Sequence, residues 1–200
     1  MVSHRIGGGR LVVGGPMTTP RRASTADPLG LRRYIRDIPD FPAPGILFRD
    51  ITPLLRTGTA FRTAIRALAR RYQRRRVDAI VAIESRGLLV GSALAYTLGV
   101  GIVPVRKKGK LPHKTYRAAY ALEYGKDALE IHQDALRRGD RVLVVDDLLA
   151  TGGTMSATIR LIEQCGGRIE AAAFLIELAA LGGRARLAPH PVTALVRYGS

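Results

Sequence analysis

Asp146 and Asp147 stand side by side at the end of the apolar run Val142-Leu143-Val144-Val145, and two leucines later the chain reads Ala150-Thr151-Gly152-Gly153-Thr154. A strand of that composition is buried and delivers its acids to the edge of a sheet. The small-residue loop behind it opens a helix whose backbone N–H groups and dipole suit an anion. Two carboxylates beside an anion cradle are costly unless one ligand uses both. A phosphorylated sugar does so, because its hydroxyls donate to the acids while its phosphate takes the amides. An ordinary strand-to-helix turn with Thr154 as N-cap would account for the glycines and threonines, yet it asks for no acid pair. No Lys-Ser or Lys-Thr follows the glycines, so the loop is not that of a P-loop nucleotide triphosphatase.

Two further segments are directed at anions. Glu84-Ser85-Arg86-Gly87 follows an apolar strand and precedes a helix, at the strand end where open α/β sheets bind ligands, and Arg86 could hold an anionic group there. An N-capping Ser85 beside a surface arginine is the alternative. Arg106-Lys107-Lys108-Gly109-Lys110 puts four cations in five positions; they repel one another and favour a multivalent anion among them, unless the loop is simply solvated.

The elements that must position these residues follow from periodicity. Residues 59–76 carry Phe61, Ile65, Leu68, Ala69 and Tyr72 at helical spacing against an arginine-rich face. Strands are expected at 77–83, 102–105, 141–146 and 169–178, with helices at 87–98 and 154–165, the latter closed by Gly166-Gly167. That alternation predicts a mostly parallel sheet with crossover helices. Residues 34–45 hold three prolines and a glycine and read as a rigid loop that presents Ile46, Leu47 and Phe48. Residues 106–125 break the pattern and read as a basic lid, with 128–132 closing it as an antiparallel strand.

The chain has 200 residues, 46% of them hydrophobic, which suits one domain with one site. Residues 1–30 are Gly-, Pro- and Arg-rich and read as a disordered basic tail, leaving 31–200 as the domain. Cys165 is the lone cysteine in a chain without tryptophan, which gives no disulfide framework or metal cluster and suits a reducing cytoplasm. No apolar run reaches membrane-spanning length. The net charge of +16 raises nucleic acid as a partner, but the arginines are scattered over helices and loops, so no specific nucleic acid is expected.

Three anion-directed elements on one domain point to a ligand with phosphate at both ends. The segments FPAPGILFRDITPLL, ESRG, VRKKGKLP, ALEYG, VVDDLLATGGT and IELAALGGRARL, in that order, resemble the type I phosphoribosyltransferases, and within them the branch that acts on adenine. The resemblance runs from about Tyr34 to the C-terminus. It implies that fold, with a mostly parallel central sheet flanked by helices, a small hood and a flexible lid. It also implies the conversion of adenine and 5-phosphoribosyl 1-diphosphate to AMP and diphosphate.

By the same resemblance, Ala150, Thr151, Gly152, Gly153 and Thr154 would cradle the 5′-phosphate, and Asp146 and Asp147 would meet the ribose hydroxyls. Ser85 and Arg86 would bind diphosphate after a cis Glu84–Ser85 peptide. Arg106, Lys107 and Lys110 would add to that site, with Arg106 reaching across a homodimer. Magnesium would accompany the diphosphate, with no direct protein ligand. The base would lie between Phe48 and the apolar Leu47 and Leu178, its edge read by backbone groups near Leu47 and Arg49; without the resemblance Phe48 reads equally well as a core aromatic. Glu123 would manage the base's proton, and Tyr124 would close the site. Relatives that use another base, or a sugar-diphosphate sensor that binds DNA, are the rival readings; residues 1–30 are too short and glycine-rich for an added DNA-binding unit.

Overall fold

A computed structural model describes residues 27–122 and 125–199. The described part opens at Asp27. The Asp27 carboxylate accepts from the N–H groups of Leu31 at 2.8 Å and Arg32 at 2.9 Å. That caps the short 3-10 turn Leu31–Tyr34 and ties Asp27 to Gly30 into the domain.

A two-stranded antiparallel ribbon follows, β1 (Arg36–Ile38) against β2 (Phe48–Asp50), with the proline-rich loop between them. Two helices, α1 (Thr52–Arg56) and α2 (Gly58–Tyr72), lead into the main sheet. Its units are β3 (Ala79–Ile83), α3 (Arg86–Leu98), β4 (Gly101–Lys107), β5 (Thr115–Leu122), β6 (Gly125–His132), β7 (Arg141–Leu149), α4 (Gly153–Gln164), β8 (Arg168–Leu178), α5 (Gly183–Arg186) and β9 (Val192–Tyr198). The seven strands lie in the order β5-β6-β4-β3-β7-β8-β9. From β4 to β9 the pairs are parallel, and β6 and β5 extend the sheet antiparallel.

Alternation along the strands splits the core in two. Ile80, Ala82, Leu143 and Val145 pack with α2 and α3 on one face, while Ala79, Val81, Ile83, Val142 and Val144 pack with α4 on the other. The chain therefore leaves β3 toward β4 and leaves β7 toward β8, winding away in opposite directions. Strand ends that part in this way leave a crevice at their carboxyl edge.

The sequence expectation differs from the structure in several places, among them β1, which lies inside the segment 34–45 expected as a loop. The 106–125 segment is not an irregular loop throughout: it is a short turn and an antiparallel hairpin, paired from Thr115↔His132 to Leu122↔Gly125. Strands rich in Ala and Tyr carry little period-2 contrast, which is why the pattern hid them. The strand β9, behind two prolines, has no clear periodic signal; it is placed by parallel pairing with β8. Finally, β7 runs three residues past Asp146, so both acids lie within the strand. No described helix is long and apolar enough to cross a membrane.

Candidate active site

The crevice between β3 and β7 holds a cavity of about 200 Å³ lined by Arg86, residues 146–155 and Phe174. Successive side chains on a strand leave on opposite sides, and the two acids do so with different neighbours. Asp147 is buried and accepts from the Arg86 Nε at 2.6 Å. Asp146 accepts the Asp147 N–H at 2.9 Å. Burial, reinforced by the Asp147 charge, raises the Asp146 carboxyl well above the usual carboxylate range.

Gly87 lets the start of α3 lie directly on this strand end. A Cβ there would stand 2.7 Å from the Asp146 Oδ1 and 3.1 Å from its Cα. The peptide joining Glu84 to Ser85 is cis, as the family resemblance implied.

At the other end of the cavity, Gly152 is the N-cap of α4, with φ 79° and ψ 5°. The helix starts at Gly153, one residue earlier than expected, and no side chain caps it. Thr154 is therefore not the N-cap; its carbonyl takes the Thr158 hydroxyl at 3.0 Å. The first-turn amides of a helix have no partner within it, so the cavity ends on N–H donors and the positive end of the dipole.

The loop is held from behind by Gly183, at the start of α5: a Cβ on Gly183 would lie 2.2 Å from the Ala150 carbonyl oxygen. Glu177, buried ahead of it, accepts from the Arg184 Nε at 2.9 Å and forms an ion pair with the Arg197 Nε at 3.1 Å. Sequence reasoning passed over Gly183 as a functional residue, although a glycine pair directly behind a strand was the available signal.

The basic run spans the end of β4 and the turn after it and is fastened by acids. Glu84 accepts from the Arg106 Nε and Nη2, each at 3.1 Å, and from the Lys107 N–H at 3.2 Å. The Arg106 hydrogen bonds hold the Glu84 carboxyl below its usual range. Arg106 also donates to the Lys110 carbonyl at 3.0 Å, and buried Glu130 accepts the Gly109 N–H at 2.9 Å. Within this chain, Arg106 thus faces Glu84 rather than reaching outward. Lys107 Nζ lies 3.6 Å from Asp127. Asp127 also accepts the Tyr120 hydroxyl at 3.2 Å, and burial together with the Asp127 charge pushes the Tyr120 phenol up to about 12.

Phe48 joins the site through Arg86, whose guanidinium carbon lies 4.9 Å from its ring centroid; Phe41 meets the same ring edge-on at 5.1 Å. Arg49 and Leu178 meet at Tyr198: Arg49 lies over that ring, and Leu178 is its register partner on β8. Leu47 is exposed. Glu123 and Tyr124 lie outside the described residues. Among the described residues no three His, Cys, Asp or Glu side chains stand together as a metal cradle.

Residues 52–189 match the family model described as the phosphoribosyl transferase domain. The chain is 55% identical over 170 residues to an adenine phosphoribosyltransferase of Carboxydothermus hydrogenoformans, covering 85% of this chain and 100% of that one. It is 56% identical over 168 residues to the enzyme of that name from Roseiflexus, covering 84% and 98%. A crystal structure of the Thermoanaerobacter pseudethanolicus adenine phosphoribosyltransferase superposes with a TM-score of 0.82 at 50% identity, over 84% of this chain and 98% of that one. That of the Saccharomyces cerevisiae enzyme, complexed with an iminoaltritol 1,6-bisphosphate and adenine, gives 0.79 at 42% identity, over 83% and 96%.

Proposed function

Since the chain belongs to the phosphoribosyltransferase family and converts adenine and 5-phosphoribosyl 1-diphosphate to AMP and diphosphate, we propose that the β3–β7 crevice holds the sugar diphosphate and that Phe48 and Leu178 flank the base. One observation carries this reading: Arg86, both acids and the amide loop line the same cavity. A ligand with phosphate at one end, hydroxyls in the middle and diphosphate at the other meets amides, carboxylates and cations in that order.

In this division of labour the amides of residues 150–154, with the hydroxyls of Thr151 and Thr154, hold the 5′-phosphate. Asp146 and Asp147 accept from the ribose hydroxyls and lie near the positive charge that develops on the sugar as its anomeric bond to diphosphate breaks. Ser85, Arg86, Arg106, Lys107 and Lys110 take the diphosphate and the negative charge it gains on leaving. Magnesium enters as part of that substrate, bound to the diphosphate. The base is stacked by Phe48, with Leu47 and Leu178 as apolar neighbours and the backbone near Leu47 and Arg49 reading its edge. Glu123 accepts the proton that the attacking purine nitrogen gives up, and Tyr124 closes the site against water.

Glu84 acts through Arg106. In Glu84→Gln the carboxylate charge that aligns the guanidinium is lost, and the KM for the sugar diphosphate is expected to rise roughly five- to tenfold, the scale of one partly exposed charged hydrogen bond. An unchanged KM in steady-state kinetics would remove Glu84 from this role. Glu123→Ala is expected to lower kcat about a hundredfold or more, the range of one general base, with the KM for the sugar diphosphate little changed. Near-wild-type turnover would take the proton away from Glu123.

The reaction itself is tested by mixing the protein with 5-phosphoribosyl 1-diphosphate, magnesium and each nucleobase in turn and reading the product by mass. AMP from adenine is the expected product; a nucleotide formed only from hypoxanthine, guanine or orotate would overturn the assignment of the base. The rival DNA-binding sensor would show salt-sensitive DNA affinity without turnover. We place the protein in the cytoplasm, where the free thiol of Cys165 is at home. We also propose a homodimer, supported by the exposed apolar side chains Leu89, Tyr96 and Ile102 on α3 and the start of β4.

A further inference from the structure

We propose that Tyr198, at the end of the last strand, is a positioning residue for the base: its ring holds the Arg49 guanidinium and so fixes the strand that presents Phe48. The proposal rests on the placement of adenine beside Phe48 and Leu178. Arg49 directly follows Phe48 on β2, and its side chain is only 14% exposed. A guanidinium buried to that degree needs compensation.

Two groups supply it. One is Asp37, its register partner on β1, which accepts from the Arg49 Nη1. The other is the Tyr198 ring, whose centroid lies 3.9 Å from the Arg49 guanidinium carbon. Arg32 lies over the same ring at 4.4 Å and is itself fixed, donating to the Arg197 carbonyl at 2.6 Å. The Arg49 Nε and the Tyr198 hydroxyl are both buried without a hydrogen-bond partner among the described residues. The tyrosine therefore contributes its ring face and not its hydroxyl.

Tyr198 is also the register partner of Leu178. The last strand thus ties together the two sides between which the base is placed, Leu178 on one and the β2 segment on the other. Removing the ring frees Arg49 toward solvent and loosens β2, whereas the acids and the amide loop of the sugar-diphosphate crevice stand on β7 and at the start of α4.

The test is a KM comparison for both substrates on the full chain. Tyr198→Leu is expected to raise the KM for adenine about tenfold, with the KM for 5-phosphoribosyl 1-diphosphate within twofold of wild type. Tyr198→Phe keeps the ring and is expected to restore the wild-type value. If the leucine variant does not fold, Asp37→Asn, which weakens the other hold on the same guanidinium at an exposed site, is expected to raise the adenine KM severalfold in the same selective way. Equal adenine KM values for the leucine and phenylalanine variants, a rise in both substrates' KM together, or no effect of Asp37→Asn would overturn the proposal. Phe48→Ala separates the two levels. If it leaves the KM for adenine unchanged, the base site itself is misplaced; if it raises that KM while Tyr198→Leu does not, only the role of Tyr198 fails.

Discussion

Gly183→Ala is expected to lower kcat/KM for the sugar diphosphate by a hundredfold or more while leaving the sheet intact. The added methyl would stand 2.2 Å from the Ala150 carbonyl oxygen and 2.9 Å from the Leu149 Cδ1. Neither neighbour can give way easily: Leu149 is buried in the core, and the Ala150 carbonyl belongs to the loop proposed to cradle the phosphate. The conflict is relieved only by moving that loop, and a displacement near 1 Å in a positioning element costs on the order of a hundredfold. Gly182→Ala is the control. A Cβ at Gly182 meets nothing within 4 Å, but the residue sits at φ +68°, so the change costs stability of roughly 1–2 kcal/mol through the left-handed backbone and little activity. Calorimetric titration with 5-phosphoribosyl 1-diphosphate distinguishes the pair. Wild-type affinity in Gly183→Ala would show that the loop is not braced by α5.

The second large effect is expected from the acid pair. In Asp146→Asn with Asp147→Asn, the two acceptors proposed for the ribose hydroxyls lose their charge, each worth about 1.5–3 kcal/mol, so affinity for the sugar diphosphate is expected to fall by roughly two to four orders of magnitude. Unchanged binding in calorimetry would mean that the pair is structural.

The single variant Asp146→Asn should behave differently in stability. Burial and the Asp147 charge raise the Asp146 carboxyl in the folded chain, so the folded state binds more protons than the unfolded one. The stability this group contributes is full below the ordinary carboxylate range and is lost as pH rises through the raised value. Removing the charge is therefore expected to raise the melting temperature of the ligand-free protein at neutral pH, by roughly 2–4 °C for each kcal/mol recovered. The gain should close as pH falls below the ordinary carboxylate range, where wild type is neutral too. A lower melting temperature at neutral pH would mean that the Asp146 charge is compensated in the fold.

The grouping of residues at the end of this strand was legible because its parts are contiguous. An apolar strand, two acids and a glycine–threonine loop within fourteen residues leave few alternatives, since local order and chemistry are written in the same segment. Asp146, Asp147 and residues 150–154 line one cavity. The parallel α/β alternation was legible for the same reason, because buried strands and amphipathic helices carry opposite periodicities.

What joins distant segments was not. Arg86 on Asp147 spans 61 residues and Arg106 on Glu84 spans 22, and no spacing rule pairs charges that far apart. Gly183 behind Ala150 and Tyr198 over Arg49 are likewise products of tertiary packing, which sets α5 on the β7–α4 loop and the edge strand β9 against the separate β1–β2 ribbon. The β5–β6 hairpin took its form from long-range pairing against β4 and from the acids Glu84 and Glu130 that fasten the basic turn. Sequence alone determined which chemistry the strand ends could perform, because composition and spacing act locally. Which cation meets which acid, and what holds the strand that carries Phe48 in place, was decided only when packing made neighbours of residues remote along the chain.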